Sequence, residues 1–140
     1  MFSLEQELLK KLSIADLERA NAYAKDLSTG LQIVRSFPQG VTFFGSARLP
    51  EDNKYCKMAH ELGGLLAQNG HVVISGGGPG IMEAANSGAY EYGGRSIGLN
   101  IRLQHEQFPN PYLTDCVTFE CFFARKVALA MSAKVFVFFP

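Results

Sequence analysis

From residue 41 onward, short apolar runs alternate with segments whose apolar positions recur every three or four residues. Val41–Gly45, Val72–Ser75, Ser96–Ile101 and Val135–Phe139 are runs rich in β-forming residues and predict strands. Between the first two, Tyr55, Met58, Ala59, Leu62, Leu65 and Leu66 follow helical spacing, with Asp52 as the expected cap and Asn69-Gly70 as the expected end. Ile81 to Tyr92 predicts a second helix, closed by Gly93-Gly94, and Phe122–Ser132 a third. Val117–Phe119 predicts a short strand, and residues 102–115, with Pro109 and Pro111, a loop. The strands are apolar throughout instead of alternating, as expected where helices cover both faces of a parallel sheet. Strands and helices taking turns along the chain predict an α/β protein with a doubly wound parallel sheet, in which Val135–Phe139 is a buried strand.

The first 39 residues read differently. Ser3 followed by Gln6 fits a capping box, with Leu4, Leu8 and Leu12 on one helical face. Ser13 is placed to cap a second helix containing Ile14, Leu17 and Tyr23, and Gly30 is its expected stop. Pro38 and Gly40 mark a turn. The chain therefore divides into a helical extension over 1–39, packed on a main domain over 40–140.

Composition narrows the classes. The 140 residues carry 13 Lys plus Arg and 13 Asp plus Glu, a formal net charge of zero, which argues against a nucleic-acid partner needing a basic face. No apolar stretch is long enough for a membrane span, and Met1 to Lys11 is not a signal peptide. Cys56, Cys116 and Cys121 are odd in number without CxxC spacing, which fits a reducing cytoplasm better than a disulfide framework.

In a doubly wound sheet, ligands bind beyond the carboxyl ends of the strands. Three places qualify: Gly45-Ser46-Ala47-Arg48, Gly76-Gly77-Gly78-Pro79-Gly80, and whatever follows Phe139. The glycine run lets backbone approach a ligand at a helix N-terminus, which suits a phosphate or a ribose. It is not a dinucleotide fingerprint: Ile81 stands where the third glycine belongs, and Asn100 where the ribose-binding acid belongs. A phosphate-binding G-x-x-x-x-G-K-[ST] is absent as well. Glu83 has two readings, a charge favourable to the helix N-terminus or a carboxylate aimed at a ligand hydroxyl. Glu106 reads as a solvated loop acid. Arg125-Lys126 interrupts an otherwise apolar helix, either as a solvated stripe or as an anion contact to which Arg is suited. Cys56 and His60 share a helix face, but with no third ligand evident packing is the better reading and no metal is expected. Cys121, among phenylalanines, is expected to be buried.

Two stretches together carry a resemblance. Gly76-Gly77-Gly78-Pro79-Gly80-Ile81-Met82-Glu83-Ala84-Ala85-Asn86 and Phe122-Phe123-Ala124-Arg125-Lys126 resemble the Lonely Guy-type family. Gly98-Leu99-Asn100-Ile101 and Glu106-Gln107-Phe108-Pro109-Asn110-Pro111-Tyr112 are also typical of it, so the resemblance covers about residues 40–140. Members are Rossmann-like, generally dimeric, and were formerly labelled lysine decarboxylases. Nothing in this chain marks a pyridoxal Schiff-base lysine. Characterised members are phosphoribohydrolases that hydrolyse the N-glycosidic bond of nucleoside 5′-monophosphates, cytokinin nucleotides among them, without a cofactor.

The resemblance implies that Arg125 is the catalytic arginine and Lys126 its neighbour in the substrate site. It implies that Glu106 falls in a loop contributing a substrate-binding acid, that Gly45 and Ser46 border the nucleotide, and that the family's homodimer is expected. Gly76, Gly77, Gly78, Gly80, Met82 and Glu83 are taken with them as the residues that bind the substrate, an AMP-like nucleotide. The family's second signature, Pro-Gly-Gly-x-Gly-Thr-x-x-Glu, would begin at Pro140 and supplies a catalytic glutamate. The chain is therefore expected to be a fragment, its intact form a nucleotide hydrolase and the 140 residues alone inactive. The alternative is a carrier of nucleotide or molybdenum cofactor that binds without turnover.

Overall fold

The computed structural model describes residues 3–103 and 108–140. Ten elements follow one another: α1 (Leu4–Leu9), α2 (Ile14–Ser36), β1 (Gly40–Phe44), α3 (Lys54–Gln68), β2 (Val72–Ser75), α4 (Ile81–Glu91), β3 (Ser96–Ile101), β4 (Asp115–Phe119), α5 (Phe122–Met131) and β5 (Val135–Phe138). The five strands form one sheet in the order β4-β3-β2-β1-β5. Every pairing is parallel, from Ile97 opposite Asp115 at one side to Val41 opposite Val135 at the other. This is the expected Rossmann-like α/β architecture. The chain adds strands in one direction from β1 to β4, then returns to the far side of β1, so the order reverses beside β1. Ligand crevices form at such a reversal.

Two cores explain the sandwich. Val73 and Ile74, adjacent on β2, are both fully buried but face opposite ways. Val73 joins Val41, Phe43, Ala59, Ile81 and Ala85 beneath α3 and α4. Ile74 joins Ile97, Leu99, Phe119, Ala124 and Leu129 beneath α5, with Ile33 of α2.

The N-terminal helices depart from expectation in length. α2 runs through Gly30 instead of stopping there. A Cβ at residue 30 would come within 2.9 Å of the Ala128 Cβ, so this glycine serves as a close-packing point between α2 and α5. Ser13 caps α2 in a full capping box with Asp16. Ser3 accepts from the Gln6 backbone, while the leucines Leu4, Leu8 and Leu12 stay exposed. The cap of α3 is Asn53, whose Oδ1 accepts from the Tyr55 N–H at 2.9 Å, and not Asp52. β4 starts at Asp115, earlier than its apolar residues alone indicate.

The expectation of a buried β5 fails. Val135 and Phe138 are 54% and 74% exposed. The reason is topological: β5 lies at the sheet's edge, paired to β1 alone. Its phenylalanines gain contact from β1, Phe138 stacking on Phe44 with ring centres 5.1 Å apart.

Candidate functional site

Three strand ends and two helices converge at the carboxyl edge of the sheet. The loop after β1 is tied on both sides by Ser46. Its carbonyl accepts from the Ile81 N–H at 3.1 Å, and its own N–H donates to the Pro140 carbonyl at 3.0 Å. One residue thus links the end of β1, the start of α4 and the end of β5. Gly45 lies under Ile81, where a Cβ would come within 2.7 Å of that side chain.

The loop after β2 is built by close approach. Gly77 and Gly80 have positive φ, +71° and +69°. A side chain at Gly80 would strike the Ser46 carbonyl, and one at Gly77 the Asn100 carboxamide. Much of the glycine requirement therefore comes from the protein's own packing, with Gly76, Gly77 and Gly78 themselves buried. A buried polar network fixes the loop's shape. The Ser75 hydroxyl donates to Asn86 Oδ1 at 2.6 Å and accepts from the Gly77 N–H at 2.9 Å. Asn110 donates its N–H to the Gly77 carbonyl at 2.8 Å, and its Nδ2 reaches the Gly78 carbonyl and Asn86 Oδ1, both at 3.1 Å. Asn86 donates onward to the Ser96 hydroxyl at 2.8 Å. Burial in low dielectric makes such a network stabilising only when its groups are paired, as these are. No side chain caps α4, whose first turn faces the loop.

Arg125 reaches this loop from α5. Its Nε donates to the Leu99 carbonyl at the end of β3, and Nη2 to the Gly76 carbonyl at 3.2 Å. Among the described residues no carboxylate pairs with it. Burial lowers its pKa, yet a guanidinium stays charged. The result is a half-buried cation with donors to spare and, among the described residues, no carboxylate partner.

The predicted residues separate into two groups. Gly76, Gly78, Met82 and Arg125 line one narrow recess, together with Asn100 and Ile101. Glu83, one step further along α4, instead faces a groove with His60, Ser87, Glu91 and Tyr112. Lys126 is exposed and does not line the Arg125 recess. Glu106 lies outside the described residues.

His60 does not pair with Cys56. Its Nδ1 meets the Ser87 hydroxyl at 2.9 Å and its Nε2 lies 3.3 Å from Glu91. Among the described residues no group of three or more metal-binding side chains assembles. Cys121 is buried as expected, and burial pushes its thiol pKa up, with Asp26 adding to the shift. Among the described residues, no helix is long and apolar enough to cross a membrane.

Sequence reasoning missed Asn86, Asn110 and Asn100 as site-building residues. For Asn86 and Asn100 the available signal was a polar amide in an otherwise apolar helix or strand, where burial demands a partner. Asn110 lies in a loop, outside any such pattern.

Comparisons with known proteins agree with this architecture. The sequence model of the SLOG cluster4 family matches residues 39–140. An X-ray structure of the protein TM1055 aligns at 30% identity and a TM-score of 0.62, covering 71% of this chain and 59% of that one. The molybdenum cofactor carrier protein of Chlamydomonas reinhardtii aligns at 27% identity and a TM-score of 0.59, covering 72% and 62%. An uncharacterized protein of Archaeoglobus fulgidus is 40% identical over 48 residues, 34% of this chain and 32% of its own length. The chain spans about three fifths of the length of the solved proteins it matches.

Proposed function

This chain belongs to the SLOG cluster4 family, a Lonely Guy-like group with a nucleotide-binding fold, and from that premise we propose that it forms the nucleotide site of a nucleoside 5′-monophosphate phosphoribohydrolase. The observation that carries this reading is Arg125, a half-buried cation without a carboxylate partner among the described residues, held at the ends of β2 and β3. A phosphate monoester supplies the missing charge, and the guanidinium fork suits it geometrically.

In this reading the loops carrying Gly45, Ser46, Gly76, Gly77, Gly78 and Gly80 border the nucleotide, and Met82 packs beside it. Lys126 adds positive charge at the rim. Cleaving an N-glycosidic bond passes through an oxocarbenium-like state, which a carboxylate stabilises or to which it delivers water. Among the described residues no carboxylate lines the Arg125 recess. The family resemblance assigns that role to a glutamate of a signature that would begin at Pro140, and gives Glu106 a substrate contact. The products are free base and ribose 5-phosphate. Phe122, Phe123 and Met131 are exposed along α5, and a two-fold partner covering them agrees with the family's dimers.

A second reading is a carrier that binds a phosphorylated ligand without turnover. It is favoured by the similarity to the molybdenum cofactor carrier protein. Incubating the intact protein with AMP and with cytokinin monophosphates, then assaying free base, separates the two. Base release that Arg125→Ala suppresses supports the hydrolase; tight AMP binding with no release from any nucleotide supports the carrier.

A further inference from the structure

A surface helix normally turns its polar side to water. α2 does the reverse along one stripe. Asp26, Gly30 and Ile33 are buried and mark the side packed on the body. Roughly half a turn around, at alternating steps of three and four residues, lie Leu17, Ala20, Ala24, Leu27 and Leu31. Leu17 and Leu31 are 51% and 42% exposed, Ala20 and Ala24 are exposed, and Leu27 is half-buried. The strip continues onto the neighbouring helix: Leu27 and Leu31 share a shallow seam with Val127 and Met131 of α5, and Phe123 and Met131 are themselves exposed. Alternating steps of three and four are the spacing by which one helix seats another.

We propose that this stripe is the contact surface for a second copy of the chain, the two α2 helices lying antiparallel across a two-fold axis. The proposal is independent of the nucleotide chemistry, since nearly all of α2 lies outside the residues 39–140 that the family model matches. It rests on the dimer reading given above for α5 and extends that contact to α2. Three arguments select a second copy as the occupant. The stripe is self-complementary. In antiparallel register Ala20 meets the partner's Leu31 and Ala24 the partner's Leu27, so small faces large across the seam, as close packing requires. An isologous contact uses one patch twice in this way. The charges also agree: the same register brings the end of α2 that carries Asp16 to the end that carries Arg35, and opposes the two helix dipoles. The size suffices as well. The 23 residues of α2 make a helix about 35 Å long and about 10 Å wide. With the exposed face of α5 beside it, the footprint is roughly 500 Å² per copy and about 1,000 Å² for the pair, where specific interfaces begin.

Light scattering on the intact protein at tens of micromolar tests this, with circular dichroism as the check on folding. The wild type should have twice the monomer mass. Ala24→Glu places a charge at the centre of the stripe, at an exposed position where the monomer keeps its fold, and should raise the dimer dissociation constant at least about hundredfold. Leu17→Glu combined with Leu31→Glu should do the same. Ile14→Glu, at a position 78% exposed but about a quarter turn off the stripe, should leave the dimer intact. The proposal is overturned if the stripe variants stay dimeric, or if Ile14→Glu breaks the dimer as readily as they do. The dimer reading for α5 survives the first of these results when Phe123→Glu alone gives monomers. A monomeric wild type overturns both.

Discussion

The guanidinium of Arg125 donates Nη2 to the carbonyl of Gly76 at 3.2 Å, across 49 residues of sequence. This contact joins α5 to the first glycine of the loop after β2. A second donation, from Nε to Leu99, joins it to the end of β3. The arginine is therefore a structural clamp as well as a charge. Replacing it removes both bonds and leaves two carbonyls to find other partners.

Arg125→Ala should accordingly lower stability by about 1–2 kcal/mol, more than an exposed helical arginine would. Nucleotide binding should fall far more steeply. Arg125→Lys keeps the charge but not the fork, and should recover only part of the affinity. Urea denaturation alongside AMP titration measures both. Unchanged AMP affinity in Arg125→Ala would remove this residue from the site.

The polar network makes its own prediction. Asn86 accepts from Ser75 and Asn110 and donates to Ser96, all within the buried interior. Asn86→Leu has similar volume but strands those three partners, and should cost about 2–4 kcal/mol. Asn110→Ala removes the Nδ2 bonds to the Gly78 carbonyl and to Asn86 Oδ1 but keeps the backbone N–H bond to Gly77, so it should cost less but loosen the loop. A lower denaturation midpoint for Asn86→Leu than for Asn110→Ala is the expected ranking.

The sheet was legible because its strands are continuous apolar runs, and Ser96–Ile101 matches its predicted bounds. Gly30 misled because a helix-breaking residue and a close-packing residue look alike until Ala128 is seen against it. β5 misled for a related reason: hydrophobicity marks a strand but not its place in the order, and Phe138 stands at an edge. Within the site, Arg125 stood out as a cation in an apolar helix. The split between Met82 and Glu83 was hidden, since it depends on which side of α4 each faces.

Two glycines with nearly equal φ allow a controlled comparison. Gly93 and Gly77 sit at +70° and +71°. A side chain at Gly93 meets open space, so Gly93→Ala should cost only the left-handed backbone term, about 1–2 kcal/mol. Gly77→Ala adds a collision with Asn100 and should cost clearly more, with nucleotide affinity reduced too. Equal thermal shifts for the two variants would show that the loop yields freely around Asn100.

Acid titration should report on the far edge of the sheet. Asp115 is partly desolvated, which raises its pKa, but the Thr114 hydroxyl and the Arg95 guanidinium outweigh this and lower it below 3.8. A carboxyl with a depressed folded pKa adds stability that is present in full above its unfolded value. That stability is lost as pH falls through the lower, folded value. Asp115→Asn should therefore flatten part of the stability loss below about pH 4, where an unfolded aspartate begins to protonate. Because Asp115 is 38% exposed, the effect should be small and should shrink further in high salt. A wild-type acid limb identical to that of the variant would refute the assignment.

Asp26 tests whether α2 positions the site. It lies on α2, is 7% exposed, and its Oδ2 accepts the backbone N–H groups of Glu120 and Cys121, both at 2.8 Å. Cys121 is the N-cap of α5 and makes no side-chain cap of its own. A carboxylate borrowed from another helix thus serves the start of α5, where negative charge also complements the helix dipole. Arg125 sits one turn further along, so the direction of its side chain depends on how that first turn is held. Asp26→Ala leaves the N–H groups of Glu120 and of the buried Cys121 without their acceptor and should cost about 2–4 kcal/mol. Asp26→Asn retains an oxygen at the same place without the charge, and should cost roughly half as much. In conditions where both variants remain folded, AMP affinity should follow the same order, wild type above Asn above Ala. Stability that falls while affinity stays level would mean that α2 supports the fold and leaves Arg125 where it is.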